Sequence, residues 1–324
     1  MLRTYGPDCD GSLIDPAQGE IPPGATWIDL CEPTREEEQL VERAIGTDVP
    51  TREEMKEIEP SSRLFERGDA IYMTLSTLFG IEEGQPSAEP IAFVLARNRL
   101  VTVRYTRPKP FRVFAEHVIR EPELAGDALT VLVRLFDTII DRLADELEEA
   151  GVEIERISDQ IFRRDETKSR RIPAARLEAL LTRIGRSQSL LARIRETAVS
   201  SSRVIGFLSA SARLRASPTQ REHVLSLGAD VGSLIDHSAF LATNLTFLLD
   251  ASLGLISVEQ NAALKVFSVA ALIFLPPTLV AGIYGMNFDH MPELKWLAGY
   301  PWALGIMLIS AILPYYIFKR RGWL

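Results

Sequence analysis

From residue 127 the apolar positions recur at intervals of three, four and seven. Leu129, Leu132, Phe136, Ile139, Ile140, Leu143, Leu147, Ile154, Ile157 and Ile161 fall at these spacings, with Asp, Glu and Arg between them. That period predicts a long amphipathic helix. A second helical stretch is expected from about Arg171 to Leu214, with Leu177, Leu180, Leu181, Ile184, Leu190, Leu191 and Ile194 on its apolar side. Ser217-Pro218 supplies an N-cap and a first-turn proline for a third helix. No proline follows until Pro276, so one helix over residues 218–284, roughly 100 Å long, is the economical reading. Long helices with apolar stripes bundle within a chain or between chains.

The first 125 residues are patterned differently. Thr26–Leu30 reads as a strand, and Ala70–Phe79, Ile91–Ala96 and Leu100–Tyr105 are rich in Ile, Val, Tyr, Phe and Thr. Asn98-Arg99 between the last two runs suggests a tight hairpin. Thr34 with Glu37, and Thr51 with Glu54, have the spacing of capping boxes that open short helices. A small α/β module of mixed sheet type is expected.

Charge then changes the picture. An average hydropathy near zero and 25% charged residues describe an ordinary soluble protein, but the charge is unevenly spread. Residues 262–288 carry one charge, Lys265, and residues 297–318 carry none. Each run reaches the ~20 apolar residues that cross a ~30 Å hydrocarbon core. Nearly all the acid behind the net charge of −8 precedes residue 261. The expected class is therefore an α+β domain (mixed sheet with flanking helices), then long helices and a two-helix transmembrane domain. Its parts are an α/β domain over 1–125, a helical hairpin over 126–216, and a stalk over 217–284 whose span covers about 262–284. An outer loop over 285–296, a second span over 297–318 and a basic tail over 319–324 complete the chain. Lys319, Arg320 and Arg321 after the second span, and Lys265 near the start of the first, place both termini in the cytoplasm by the bias of basic residues. No signal-peptide-like stretch opens the chain. Cys9 and Cys31 fit a reducing compartment and no metal framework, with Cys31 expected to be structural.

Little points to catalysis. No phosphate-binding Gly-x-x-x-x-Gly-Lys-Ser/Thr, His-Glu-x-x-His or Gly-x-Ser-x-Gly occurs, and His117, His223, His237 and His290 are scattered. No enzyme is expected, and no nucleic-acid partner. Neither span carries an intramembrane acid, the usual mark of coupled transport, so passive flow is favoured over a pump. Two spans do not enclose a path, which needs several copies around an axis. Alternating steps of three and four from Asn261 pass through Leu264, Ser268, Ala271, Leu275, Thr278, Gly282 and Gly285. This small, weakly polar stripe suits pore lining and bilayer helix packing alike, and Thr278 and Asn261 tilt it toward a pore.

The run Phe274-Leu275-Pro276-Pro277-Thr278-Leu279-Val280-Ala281-Gly282-Ile283-Tyr284-Gly285-Met286-Asn287-Phe288 resembles the signature of the CorA magnesium-channel family. Met291-Pro292-Glu293-Leu294-Lys295-Trp296, Ser257-Val258-Glu259-Gln260-Asn261 and Trp27-Ile28-Asp29-Leu30-Cys31-Glu32-Pro33 also fit. The resemblance implies a homopentameric funnel in the inner membrane, with the first span lining the pore. It implies Gly285, Met286 and Asn287 as the selectivity filter, with Mg²⁺ as cargo and Co²⁺ and Ni²⁺ as further passengers. Mg²⁺ gives up water reluctantly, so an amide ring can select the hydrated ion, and Gly285 can adopt backbone geometry closed to other residues. Asp289 and Glu293 would concentrate cations at the mouth. The resemblance also implies gating by cytoplasmic Mg²⁺. Where some members carry a stalk aspartate in an intersubunit sensor, this chain has Ser226, with Asp230 and Asp236 nearby. A ZntB-like Zn²⁺ transporter, possibly proton-coupled, and a membrane-anchored coiled-coil scaffold are the alternatives.

Overall fold

The computed structural model describes all residues except 18, 58, 83, 163–173, 287–295 and 322–324. Seven strands form one sheet: β1 (Leu2–Gly6), β2 (Cys9–Leu13), β3 (Trp27–Cys31), β4 (Leu64–Arg67), β5 (Ala70–Phe79), β6 (Ser87–Ala96) and β7 (Arg99–Arg104), in the order β2-β1-β3-β7-β6-β5-β4. The sheet is mixed. β3 and β7 pair in parallel, and every other neighbouring pair is antiparallel.

Short helices follow the strands: α1 (Arg35–Ile45), α2 (Arg52–Met55), α3 (Pro60–Arg63) and α4 (Lys109–Arg120). The capping boxes form as expected at Thr34–Glu37 and Thr51–Glu54. One sheet face, with Ile28, Leu30, Val94, Val101 and Val103, packs into a core with Leu40, Val41, Ile45 and Met55 of α1 and α2. The alternate residues point the other way, where Trp27 meets Phe114 and Phe93 meets Phe111 of α4. Cover on both faces explains why β3 is buried at all five positions, Asp29 at its centre included.

One expectation about the sheet needs correction. The β6–β7 hairpin turns at Arg97-Asn98, one residue earlier than Asn98-Arg99, because Ala96 pairs with Arg99. Arg97 there takes φ 52°, the left-handed geometry that a tight turn demands. Strands β1, β2 and β4 were not foreseen.

The long helices are α5 (Ala128–Phe162), α6 (Ala174–Ala210), α7 (Ala212–Arg215), α8 (Pro218–Tyr284) and α9 (Gly299–Arg320). All ten apolar residues singled out on α5 are buried, and Phe136 meets Phe93 edge-on from α5 to the sheet. The second helical stretch ends earlier than Leu214. Ser211 breaks it and caps α7 by accepting from Leu214 N. α8 is one 67-residue helix despite Pro276 and Pro277 inside it. By internal contacts the chain divides into two compact units, Met1–Arg164 with Glu178–Leu249, and Asp165–Leu177 with Asp250–Leu324.

Candidate functional site

The second unit holds the candidate path. α8 and α9 each contain a stretch long and apolar enough to cross a membrane; none of the α8 stretch is buried and only 6% of the α9 stretch is. Core helices of a soluble protein would be largely covered. Each span has one half-covered stripe. On α8 it runs through Ala262/Ala263, Val269, Leu272/Ile273, Pro276/Pro277, Val280 and Tyr284. On α9 it runs through Gly299, Ala303, Ile306/Met307, Ser310/Ala311, Pro314 and Phe318. Both repeat with the helical period, and the α9 stripe is rich in small residues, the pattern of two helices leaning along a single seam.

The predicted stripe lies off that seam. Asn261, Leu264, Ser268, Ala271, Leu275, Thr278, Gly282 and Gly285 are all exposed, Leu264 by 62% and Leu275 by 72%. Packing within the chain therefore does not account for these residues. A Cβ placed on Gly282 would meet nothing within 4 Å. The hydroxyls are already oriented. Ser268 donates to the Leu264 carbonyl at 2.9 Å and Thr278 to the Phe274 carbonyl at 2.6 Å. With the proton turned into the helix, each oxygen presents lone pairs outward. That polarity suits the outward-facing hydrogens of a hydrated cation. Pro276 and Pro277 also lack N–H groups, so the Leu272 and Ile273 carbonyls have no i+4 donor.

The helix ends at Tyr284, and the chain turns through Gly285, whose N–H donates to Ala281, and Met286, whose N–H donates to Ile283. The reason for glycine differs from the expected one. Gly285 is not among the positive-φ residues; instead, a Cβ there would sit 3.1 Å from the Ala281 carbonyl oxygen. Crowding, not handedness, constrains the position. Asn287, Asp289 and Glu293 lie outside the described residues, as does His290.

The first unit holds the candidate regulatory acids. Asp230 and Asp236 are exposed on α8. Burial pushes the Asp141 carboxyl up, and the carboxylates of Asp137, Asp145 and Asp230 add to the rise. Asp230 thus belongs to an acidic seam between α5 and α8, which His223 joins through a 3.4 Å contact with Asp137. Among the described residues no three acids, histidines or cysteines are placed to hold a metal within one chain.

Two groups escaped the sequence reading. Glu146 was one charge among many on α5, yet it is 1% exposed and sits against Arg142. Burial raises its carboxyl while Arg142 opposes the rise. Asp29 also gave no chemical signal. Its carboxylate takes Arg104 in a two-pronged grip at 3.0 and 2.7 Å and accepts from Thr102 at 2.8 Å, while the Trp27 indole donates to Thr102 at 3.0 Å. Cys31 is buried and free, with Thr106 O at 3.9 Å from its sulfur.

Comparisons with known proteins agree on one family. The family model described as CorA-like Mg²⁺ transporter protein matches residues 23–320. The magnesium transport protein CorA of Yersinia pseudotuberculosis serotype I (strain IP32953) is 35% identical over 300 residues, covering 92% of each chain. That of Escherichia coli (strain K12) is 34% identical, covering 93% of this chain and 92% of the relative. The complete structure of the CorA magnesium transporter from Methanocaldococcus jannaschii superposes with a TM-score of 0.78 at 20% identity, covering 100% of this chain and 98% of that one. The cytoplasmic domain of ZntB from Vibrio parahaemolyticus RIMD 2210633 shares the fold at a TM-score of 0.56 and 12% identity, covering 81% and 97%.

Proposed function

This chain belongs to the family of CorA-like Mg²⁺ transporter proteins, and from that premise we propose that it conducts hydrated Mg²⁺ passively across the cell membrane. Co²⁺ and Ni²⁺ share the ion's charge and octahedral water shell and are further cargo. The conducting form is a homopentamer in the bilayer of the bacterial inner membrane. Both termini are cytoplasmic, and the α8 spans surround the path. The observation that carries this reading is the uncovered stripe from Asn261 to Gly285. It is off the α8–α9 seam, small or weakly polar, and leads directly into Gly285-Met286-Asn287.

The chemistry follows from the cargo. Stripping water from Mg²⁺ is costly, so selection works on the hydrated ion through acceptors that bond its waters. Asn287 offers amide oxygens at the outer mouth, where Asp289 and Glu293 raise the local cation concentration. The Thr278 and Ser268 oxygens offer further acceptors along the stripe. Leu264, Ala271 and Leu275 are the apolar constriction, which closes by expelling water. The Leu272 and Ile273 carbonyls, left without helix donors, need water or a neighbouring helix when placed in hydrocarbon. Cytoplasmic Mg²⁺ closes the path by bridging acids on the stalk, with Asp230 and Asp236 the candidate ligands and Asp141 facing Asp230.

Proteoliposomes loaded with a Mg²⁺-sensitive dye test the path. Asn287→Ala should abolish selective Mg²⁺ entry, and intact entry in that variant refutes the mechanism. Parallel traces with Co²⁺, Ni²⁺ and Zn²⁺, with and without a proton gradient, separate passive Mg²⁺ flow from coupled Zn²⁺ transport. Asp230→Ala and Asp236→Ala should each weaken closure by internal Mg²⁺; unchanged closure in both removes them as ligands.

A further inference from the structure

Within the first unit, a cavity of about 390 Å³ opens between the loop after β5, the start of α4, and helices α5 and α6. Its size is that of a small-molecule site. Apolar side chains, Leu78, Phe79, Ile139 and Leu143 among them, line part of it. Three cationic side chains also line it, Arg107, Lys109 and Arg142, against a single carboxylate, Glu82.

Two observations point to a ligand. Thr77 on β5 and Thr197 on α6 both line the cavity, both are 1% exposed, and neither hydroxyl has a hydrogen-bond partner. Buried hydroxyls are ordinarily bonded, and leaving one unmade is expensive. Two unbonded hydroxyls on different elements of one cavity wall are thus donors in want of acceptors. The second observation is electrostatic. α4, twelve residues long, begins at the cavity rim with Pro108 as N-cap and no side chain capping it. Its positive pole adds to the three cations.

The cations have partners, but weak ones at the rim. Lys109 meets Glu82 at 2.9 Å and Arg107 meets Glu32 at 3.1 Å, and in both pairs both side chains are more than a third exposed. Such surface pairs contribute little and exchange readily. Arg142 is different, being held in place by the buried Glu146.

We propose that this cavity binds a small metabolite carrying an oxyanion group. Thr77 and Thr197 donate hydrogen bonds to the oxyanion, Arg107, Lys109 and Arg142 supply the charge, and the apolar wall takes the organic body. Phosphate and carboxylate groups share the required chemistry. The full-length protein in detergent, at constant free Mg²⁺, is titrated calorimetrically with inorganic phosphate, AMP and citrate. Saturable binding of phosphate and AMP identifies a phosphoryl ligand, and saturation by citrate alone identifies a polycarboxylate. Thr77→Val/Thr197→Val removes both donors without removing volume, and should weaken binding about tenfold or more with an unchanged or higher melting temperature. Lys109→Met, at an exposed pair, provides a second variant whose folding is not at stake and should weaken binding several-fold. Absence of saturation by all three probes up to about 10 mM, or affinities unchanged in both variants, overturns the proposal.

Discussion

Replacing Asp29 with alanine removes the hub of a buried two-pronged carboxylate–guanidinium grip, and the structure gives the size of the loss. The Asp29 side chain is 4% exposed and Arg104 12%. Burial works against the Arg104 charge, yet Asp29, with Cys31 and Tyr5 adding to it, holds the guanidinium pKa above its ordinary value. In Asp29→Ala the guanidinium keeps its bond to Thr106 O at 2.7 Å and its stack on Phe111, but loses its counter-charge. Breaking a buried pair from one side costs about 3–5 kcal/mol. The Thr102 hydroxyl still accepts from Trp27 but its own proton loses Asp29, which moves the loss toward the upper end of that range. At about 2–4 °C per kcal/mol for a domain of this size, the first unit should melt roughly 6–20 °C lower.

Scanning calorimetry of the full-length protein in detergent reads this shift directly. Asp29→Asn keeps an acceptor for Thr102 without the charge and should fall between wild type and alanine. Asp29→Leu/Arg104→Met, which removes both charges, should recover a large part of the loss. A drop below about 3 °C in Asp29→Ala, or a double variant less stable than the single one, would refute the reasoning.

The other predictions concern acids and glycines. Asp141 has a raised carboxyl pKa, so folding favours its protonated form, and its contribution to stability declines as pH climbs from the ordinary carboxylate range through the raised value. Asp141→Asn should therefore melt higher at neutral pH, match wild type in acid, and gain less from added Mg²⁺; a melting curve against pH checks all three. Arg142→Met strands the buried Glu146 carboxylate and should cost about 3–5 kcal/mol at neutral pH, with the deficit shrinking in acid as that raised carboxyl takes its proton. Gly282→Ala meets nothing within the chain and should favour the helix by about 0.5–1 kcal/mol, yet lower Mg²⁺ flux in liposomes by narrowing the proposed path. Flux equal to wild type would remove Gly282 from the path.

The helices were legible because their signal is local and repeated. Ten apolar residues on α5 at helical spacing all proved buried, and both capping boxes closed. The two spans stood out because an uncharged run of that length has few other uses. The edges of the sheet were harder. β1 reads Leu-Arg-Thr-Tyr-Gly and β2 Cys-Asp-Gly-Ser-Leu, with bulged pairing between them; such strands owe their form to neighbours distant in sequence, not to propensity. Glu146 and Asp29 were invisible for the same reason. A carboxylate acquires its burial and its partner from the fold, and Arg104 lies 75 residues from Asp29.

At Gly285 the structure gives glycine a different reason from the one the sequence suggested. Sequence suggested backbone geometry closed to other residues, the commonest need for glycine. The backbone instead stays out of the left-handed region, and a Cβ would make a tight contact 3.1 Å from the Ala281 carbonyl oxygen. The difference matters for the proposed filter. With its N–H bonded back to Ala281, Gly285 continues the helix end and carries its order into Met286, itself bonded to Ile283. A filter that reads a hydrated ion must hold its acceptors at one fixed radius, since the water shell is nearly incompressible in geometry. Anchoring the residues just before Asn287 to the last helical carbonyls supplies that rigidity. Gly285→Ala should accordingly cost discrimination between Mg²⁺ and monovalent ions before it costs folding. A competition flux assay measures the ratio, and an unchanged ratio in a variant that still conducts would show that the helix end does not set the filter's geometry.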